Sequence, residues 1–257
     1  MSHRIPSTNW LTAFLILSHF GCTADRPEGR RAASEAVAES DPLSHVFTYS
    51  ILETDPTRGA VLESLEALAI PTLVEAGATP YSVWLPVGIS DPDRFSGEAL
   101  SETQLVLMLA WPQQDVQISI LDSTLRALDG VTAVTSRTFV PIYLTEGLTV
   151  PTGAGFYVHR EQLYREGDLA EVERTSRELR EAMEPFFGIR VIGDFRESPD
   201  SADVANLLRI AWYRSLEGWI ESREFTRDPE SLRRFVARGQ LQLEGSGVAI
   251  ATNRAAR

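Results

Sequence analysis

Leu107-Met108-Leu109-Ala110-Trp111 recurs 101 residues further along the chain as Leu208-Arg209-Ile210-Ala211-Trp212. Each stretch is an apolar, strand-like run that closes on a tryptophan, and a helix-like run follows it. An arginine lies 26 residues after each tryptophan, Arg137 in one copy and Arg238 in the other. Self-similarity at a domain-sized spacing points to one small module built twice.

The elements around the first copy bear this out. Residues 45–52 are rich in aromatic and β-branched side chains and read as a strand. Over 58–76 the apolar residues Val61, Leu62, Leu65, Leu68, Ala69, Leu73 and Val74 fall at three-and-four spacing, which is an amphipathic helix. Pro71 should kink or restart that helix, and Gly77 should stop it. Residues 81–87 form a second strand and 104–111 a third, apolar on both faces and therefore central. Residues 116–128 carry a second helix, and 137–144 a fourth strand. Pro141 within that strand demands an edge or a bulge. The second copy repeats the order: a strand at 155–163, a helix at 169–187, strands at 189–195 and 204–212, and a helix at 216–225 that 232–235 extends or follows. A short last strand falls within 240–250. The chain is thus predicted to be α+β, two tandem ferredoxin-like βαββαβ modules with antiparallel sheets, spanning 45–148 and 149–257. Each sheet has helices on one face only. Packing the two open faces together as a pseudo-dimeric α+β barrel, within one chain or in a homodimer, buries what each module leaves exposed.

Composition limits the chemistry. The formal net charge is −12, and without a basic face there is no footprint for nucleic acid. All 24 basic residues are arginine, so no Schiff base, PLP anchor or P-loop lysine is available. A single cysteine excludes an internal disulfide. Of four histidines, only His159 lies well inside the folded part, so no metal site is expected and no cofactor is called for.

The N-terminus reads as an address. Arg4 precedes an apolar run at 10–20, long enough for a signal-peptide core and too short to span a bilayer. The run ends at Gly21-Cys22, and a small residue before a lone cysteine resembles a bacterial lipoprotein signal. The expectation is a signal peptide over 1–21 and lipidation at Cys22. A flexible tether over 22–44 is poor in large apolar groups. The domain would then be exported and held at the cell envelope by its lipid alone.

Aromatic residues on the strands, namely Tyr49, Trp84, Trp111, Tyr157 and Trp212, either pack the space between the sheets or line a pocket there for a small apolar or aromatic ligand. Tyr157 and His159 alternate onto one strand face, which makes His159 the candidate general base for a phenolic substrate. It is also a conceivable haem ligand. Arg137 and Arg238, read as matching positions at or just before the fourth strands, are candidates for pinning an anion or pairing with carboxylates.

Phe47-Thr48-Tyr49, Ile70-Pro71-Thr72-Leu73, Val83-Trp84 and Leu109-Ala110-Trp111 together resemble a NIPSNAP-type domain of the dimeric α+β barrel superfamily. In the second copy Tyr157-Val158-His159-Arg160, Glu184-Pro185, Gly193 and Ala211-Trp212 are similar. Phe47 stands where that family usually has an arginine. The resemblance implies a barrel fold but no settled activity. It favours a small-ligand-binding or interaction module, with a cofactor-independent monooxygenase-like enzyme as the alternative.

Overall fold

The computed structural model describes residues 41–55, 58–87, 101, 103–145, 150, 155–198, 203–222, 228–243 and 248–255. The signal peptide, Cys22 and the tether up to residue 40 lie outside the described residues; the end of the predicted tether is ordered instead, with Pro42–Ser44 in a 3-10 turn whose N-cap Asp41 accepts from the Leu43 amide.

Among the described residues there are eight strands: β1 (His45–Thr54), β2 (Thr79–Pro86), β3 (Gln104–Pro112), β4 (Val131–Leu144), β5 (Phe156–Arg165), β6 (Arg190–Ser198), β7 (Val204–Tyr213) and β8 (Val248–Arg254). They close into one barrel in the order β1-β3-β2-β8-β5-β7-β6-β4, and every neighbouring pair is antiparallel. Read round the barrel, the first half runs β4-β1-β3-β2 and the second β8-β5-β7-β6. The halves are stitched by β2–β8 on one side and β4–β6 on the other. Closure removes every sheet edge, so Pro141 has no edge to occupy. It sits instead at a register shift between Pro141 and Tyr143 that bulges β4.

The helices cover the outside. The first half carries α1 (Arg58–Ser64), α2 (Ile70–Glu75) and α3 (Ile118–Arg126); the second carries α4 (Leu169–Phe187), α5 (Leu216–Glu221) and α6 (Pro229–Gly239). Between α1 and α2 the chain stays helical but widens to a π turn over Leu65–Ala69, where the Ile70 N–H reaches back to the Leu65 carbonyl. Pro71 has no N–H to offer, and the widened turn lets the helix restart around it. Gly77, at φ 99°, ends the segment in a conformation that favours glycine. In the second half α5 is shorter than expected and α6 is a separate helix. Its N-cap Asp228 accepts from the Glu230 and Ser231 amides. The last strand lies at Val248–Arg254, later than the predicted 240–250.

The strands alternate between two environments. One face of every strand from β1 to β7 feeds a shared interior of Phe47, Tyr49, Tyr81, Trp84, Val106, Met108, Ala110, Phe139, Tyr157, Ile192, Phe195, Leu208 and Ile210, all buried. The other face meets the helices: Leu107, Leu109 and Trp111 pack under α1–α3 with Val61, Leu65, Leu121 and Leu125. Val158, Val191, Ala211 and Tyr213 pack under α4–α6 with Leu179, Met183 and Trp219.

This alternation corrects the repeat. Interior positions Val106, Met108 and Ala110 on β3 correspond to Leu208, Ile210 and Trp212 on β7, where the interior face continues. An offset that matches the faces is therefore even, and the 101 of the sequence match is not. One residue of slip exchanges the two faces of a strand. Trp111 accordingly points outward under the helices, and Trp212 points inward.

Candidate functional site

Tyr49, Trp84, Tyr157 and His159 do converge inside the barrel. Tyr49 Oη and His159 Nδ1 share a 2.9 Å hydrogen bond, and Thr252 Oγ1 lies 3.1 Å from His159 Nε2. The Trp84 ring meets the imidazole edge to face at 4.6 Å, and Tyr157 meets Trp84 at 6.0 Å. None of the four is more than 1% exposed. Burial pulls the His159 pKa down to about 3 against the opposing pull of Glu161. Burial likewise pushes the Tyr49 phenol far above its ordinary range. Both rings are neutral and mutually satisfied at neutral pH. An eight-stranded barrel has an interior just wide enough for side chains to fill, and here aromatic rings fill it. His159 is thus placed as a buried structural histidine, with both ring nitrogens engaged.

Arg137, on β4, spans one end of this interior. Its guanidinium forks onto the Glu161 carboxylate of β5, with Nη1 donating to Oε2 at 2.7 Å and Nη2 to Oε1, and it lies 3.7 Å from Glu197. Its guanidinium carbon lies 5.3 Å from the centre of the Phe139 ring and 5.8 Å from that of Tyr49. Burial pushes the Glu161 carboxyl up, but Arg137 and then Asn206 overcome this and hold it below its usual range. Arg137 closes the barrel rather than offering a free cation. Trp111 donates its indole N–H to Thr48 Oγ1 at 3.0 Å beneath the first helix layer, away from the interior. Trp212 is half-buried. Its indole lies where a Cβ on Gly155 would fall, 1.6 Å from Nε1.

Arg238 is not the strand counterpart of Arg137. It is on α6, 4% exposed, and donates to Ser176 Oγ at 2.9 Å and Gln162 Oε1 at 2.7 Å. It belongs to a second constellation on the outer face of the second half. There a cavity of about 60 Å³ lies between β5, β7 and α4–α6. Its walls are apolar, including Val158, Leu179, Met183, Ile189 and Phe235, and Arg160, Arg180, Arg209 and Arg238 enter it beside Tyr213 and Ser222. A neighbouring cavity of about 410 Å³ under α4 shares Arg180 and Arg209 as a common wall.

One carboxylate serves this cluster. Asp194 accepts from Arg209 through both oxygens, at 2.6 and 3.0 Å, and from Arg180 at 2.7 Å. Burial pushes its pKa up, but Arg209, followed by Arg180 and Arg238, brings it below the ordinary range. The Arg180 guanidinium also sits 3.7 Å from the centre of the Tyr143 ring. Arg238 has neutral oxygens for partners. Burial and then the Arg209 charge pull its pKa down to about 9, which leaves it protonated at neutral pH. Sequence reasoning missed Arg160 and Arg209. Both carried a signal: each interrupts an apolar strand on the face opposite the interior one, where helices cover it.

Among the described residues no group of acidic, histidine and cysteine side chains is arranged to hold a metal ion, and no helix is long and apolar enough to cross a membrane. An antiparallel sheet closed into an eight-stranded barrel with helices outside defines an α+β barrel protein of the dimeric α+β barrel fold. Solved structures agree. An anthrone oxidase-like protein superposes with a TM-score of 0.56 at 9% identity, over 83% of this chain and 92% of its own. A candidate monooxygenase from Lactobacillus acidophilus gives 0.52 at 8%, over 82% and 94%. A heme-bound variant of DypB from Rhodococcus jostii gives 0.50 at 11%, over 84% and 95%. These likenesses establish the fold. No family model matches the chain, and no curated protein matches it in sequence.

Proposed function

We propose that this chain is a small-ligand-binding protein, and that its ligand sits in the cavity between the sheet and α4–α6 of the second half. The observation that carries the reading is the contrast between two spaces. Among the described residues the barrel interior is packed with its own aromatic side chains, whereas the outer cavity keeps open volume, apolar walls and a few convergent polar groups, which is how small-molecule sites are built. The strand orders β4-β1-β3-β2 and β8-β5-β7-β6 support two tandem ferredoxin-like modules, and the NIPSNAP-type kinship rests on the sequence resemblance alone. The test is native mass spectrometry of the full-length chain purified without added ligand. A bound organic molecule is expected, and Met183→Trp, which fills the cavity, should remove it. Bare chain mass, together with no gain in thermal stability from small apolar probes, would overturn the reading.

A second reading is a cofactor-independent monooxygenase-like enzyme using the same cavity. The fold likeness to an anthrone oxidase-like protein and to a candidate monooxygenase favours it. Oxygen uptake on adding an anthrone, abolished by Met183→Trp, is its expected signature. In this reading the filled interior leaves His159 no substrate to deprotonate, so His159→Ala should act through stability alone.

Export and lipidation at Cys22 complete the proposal and place the cavity at the cell envelope. Metabolic labelling with radioactive palmitate should mark the wild-type chain and not Cys22→Ser.

A further inference from the structure

The cavity's charge is out of balance, and its meaning rests on reading that cavity as a ligand site. Asp194, Arg209 and Arg160 stand side by side in one cross-strand row: Asp194 opposes Arg209 across β6 and β7, and Arg209 opposes Arg160 across β7 and β5. Asp194 is consumed by Arg209 and Arg180, and Arg238 by Ser176 and Gln162. Arg160 makes no hydrogen bond or ion pair among the described residues. Arg160 is partly buried and lines the cavity, and its nitrogens are not among the sealed, unpartnered polar atoms of the described residues. Its electrostatic neighbours are the phenols of Tyr213 and Tyr164, which burial keeps neutral, and the like charge of Arg209. Like charges directly opposite on paired strands repel, and Arg160, partly buried, meets that repulsion with no counter-ion among the described residues to offset it. A neutral side chain at position 160 would remove that cost, so packing among the described residues gives no reason for a guanidinium here.

We propose that Arg160 anchors a site for an organic anion: a small carboxylate whose oxygens pair with the Arg160 guanidinium while its apolar part lies against Val158, Leu179, Met183 and Phe235. Guanidinium and carboxylate match as a planar fork, and the pair is stronger in a partly desolvated cavity than in open water. The apolar walls disfavour inorganic phosphate or sulfate, which have no apolar part to bury against them. The volume of about 60 Å³ selects a short acid. Arg180 and Arg209 lie between this cavity and the larger one under α4 and mark the side from which a longer acid would extend.

The test is calorimetric titration of the full-length chain with butyrate, with its neutral isostere butyramide, and with inorganic phosphate. Butyrate is expected to bind at least about tenfold more tightly than butyramide, with phosphate weakest. Arg160→Gln should erase the preference for acid over amide, and without ligand should melt no lower than wild type. Arg160→Lys keeps the charge and should keep the preference in weakened form. Equal binding of acid and amide, an acid preference that survives in Arg160→Gln, or phosphate binding tightest would each overturn the assignment and leave the cavity standing as a neutral site. If Arg160→Gln fails to fold, loss of the preference in a folded Arg160→Lys overturns it. Binding of none of the probes, with bare mass in the native spectrum, overturns the cavity reading and this inference with it.

Discussion

His159 should make the barrel sensitive to mild acid, in a window where few other groups titrate. Its pKa is about 3 in the fold against 6.5 in the open chain, because burial penalises the imidazolium. The unfolded chain therefore takes up a proton at a pH where the folded chain refuses it. Stability from this group is fully present above pH 6.5, is lost as pH falls, and stops being lost near the folded pKa. At about 1.4 kcal/mol per unit, the loss is about 2 kcal/mol between about pH 8 and pH 5, and roughly 4 to 5 kcal/mol by about pH 3. His159→Gln removes the titration while keeping a side chain able to meet Tyr49 Oη and Thr252 Oγ1. Urea unfolding of both full-length proteins, followed by tryptophan fluorescence, gives the two stability curves. Glu161 and Asp194 are common to both and cancel in the difference to first order. The gap between wild type and variant should narrow by about 2 kcal/mol from about pH 8 to pH 5. Parallel curves, with a constant gap over that range, would show that the imidazole is either protonated in the fold or reached by water, and the filled-interior argument would fail.

Three further perturbations follow from the same geometry. Asp194→Asn leaves Arg209 and Arg180 buried without their carboxylate and should cost about 3–5 kcal/mol in denaturant unfolding; Asp194→Asn combined with Arg209→Met should recover much of it. Gly155→Ala drives a Cβ into the Trp212 indole, at 1.6 Å from Nε1. The ring must move, with a shift in tryptophan emission and a loss of about 1–3 kcal/mol in urea unfolding. Tyr49→Phe leaves His159 Nδ1 buried without its partner, and thermal unfolding should show a loss of about 1–3 kcal/mol.

The element order was legible because each element has a local cause. Three-and-four spacing on α1 and α4, apolar alternation on the strands, and glycines at the two helix ends at 77 and 188 are all written within a few residues. Gly188, at φ 62°, caps α4 where the sequence places the stop. What was not legible lies at longer range. The break between α5 and α6 depends on the Asp228 cap inside a polar stretch that reads equally well as helix. The position of β8 depends on pairing with β2 and β5, on chain far away in sequence.

The candidate site was harder still, and the reason is parity. A matched tryptophan in two strands looks like a matched function, yet a strand has only two faces, and a slip of one residue exchanges them. The sequence match aligned Trp111 with Trp212 and Arg137 with Arg238; the fold sends the first pair to opposite faces and the second to a strand and a helix. The same alternation contained the better clue. If His159 and Ile210 face the interior, then Arg160 and Arg209 must face the helices, and they must face them together. Two arginines opposed on a helix-covered face are only partly open to solvent, unlike surface arginines. One carboxylate in the row accounts for Arg209, and among the described residues none accounts for Arg160. The aromatic residues drew attention to a space that they themselves fill, whereas the charge that packing does not explain marks the space left open.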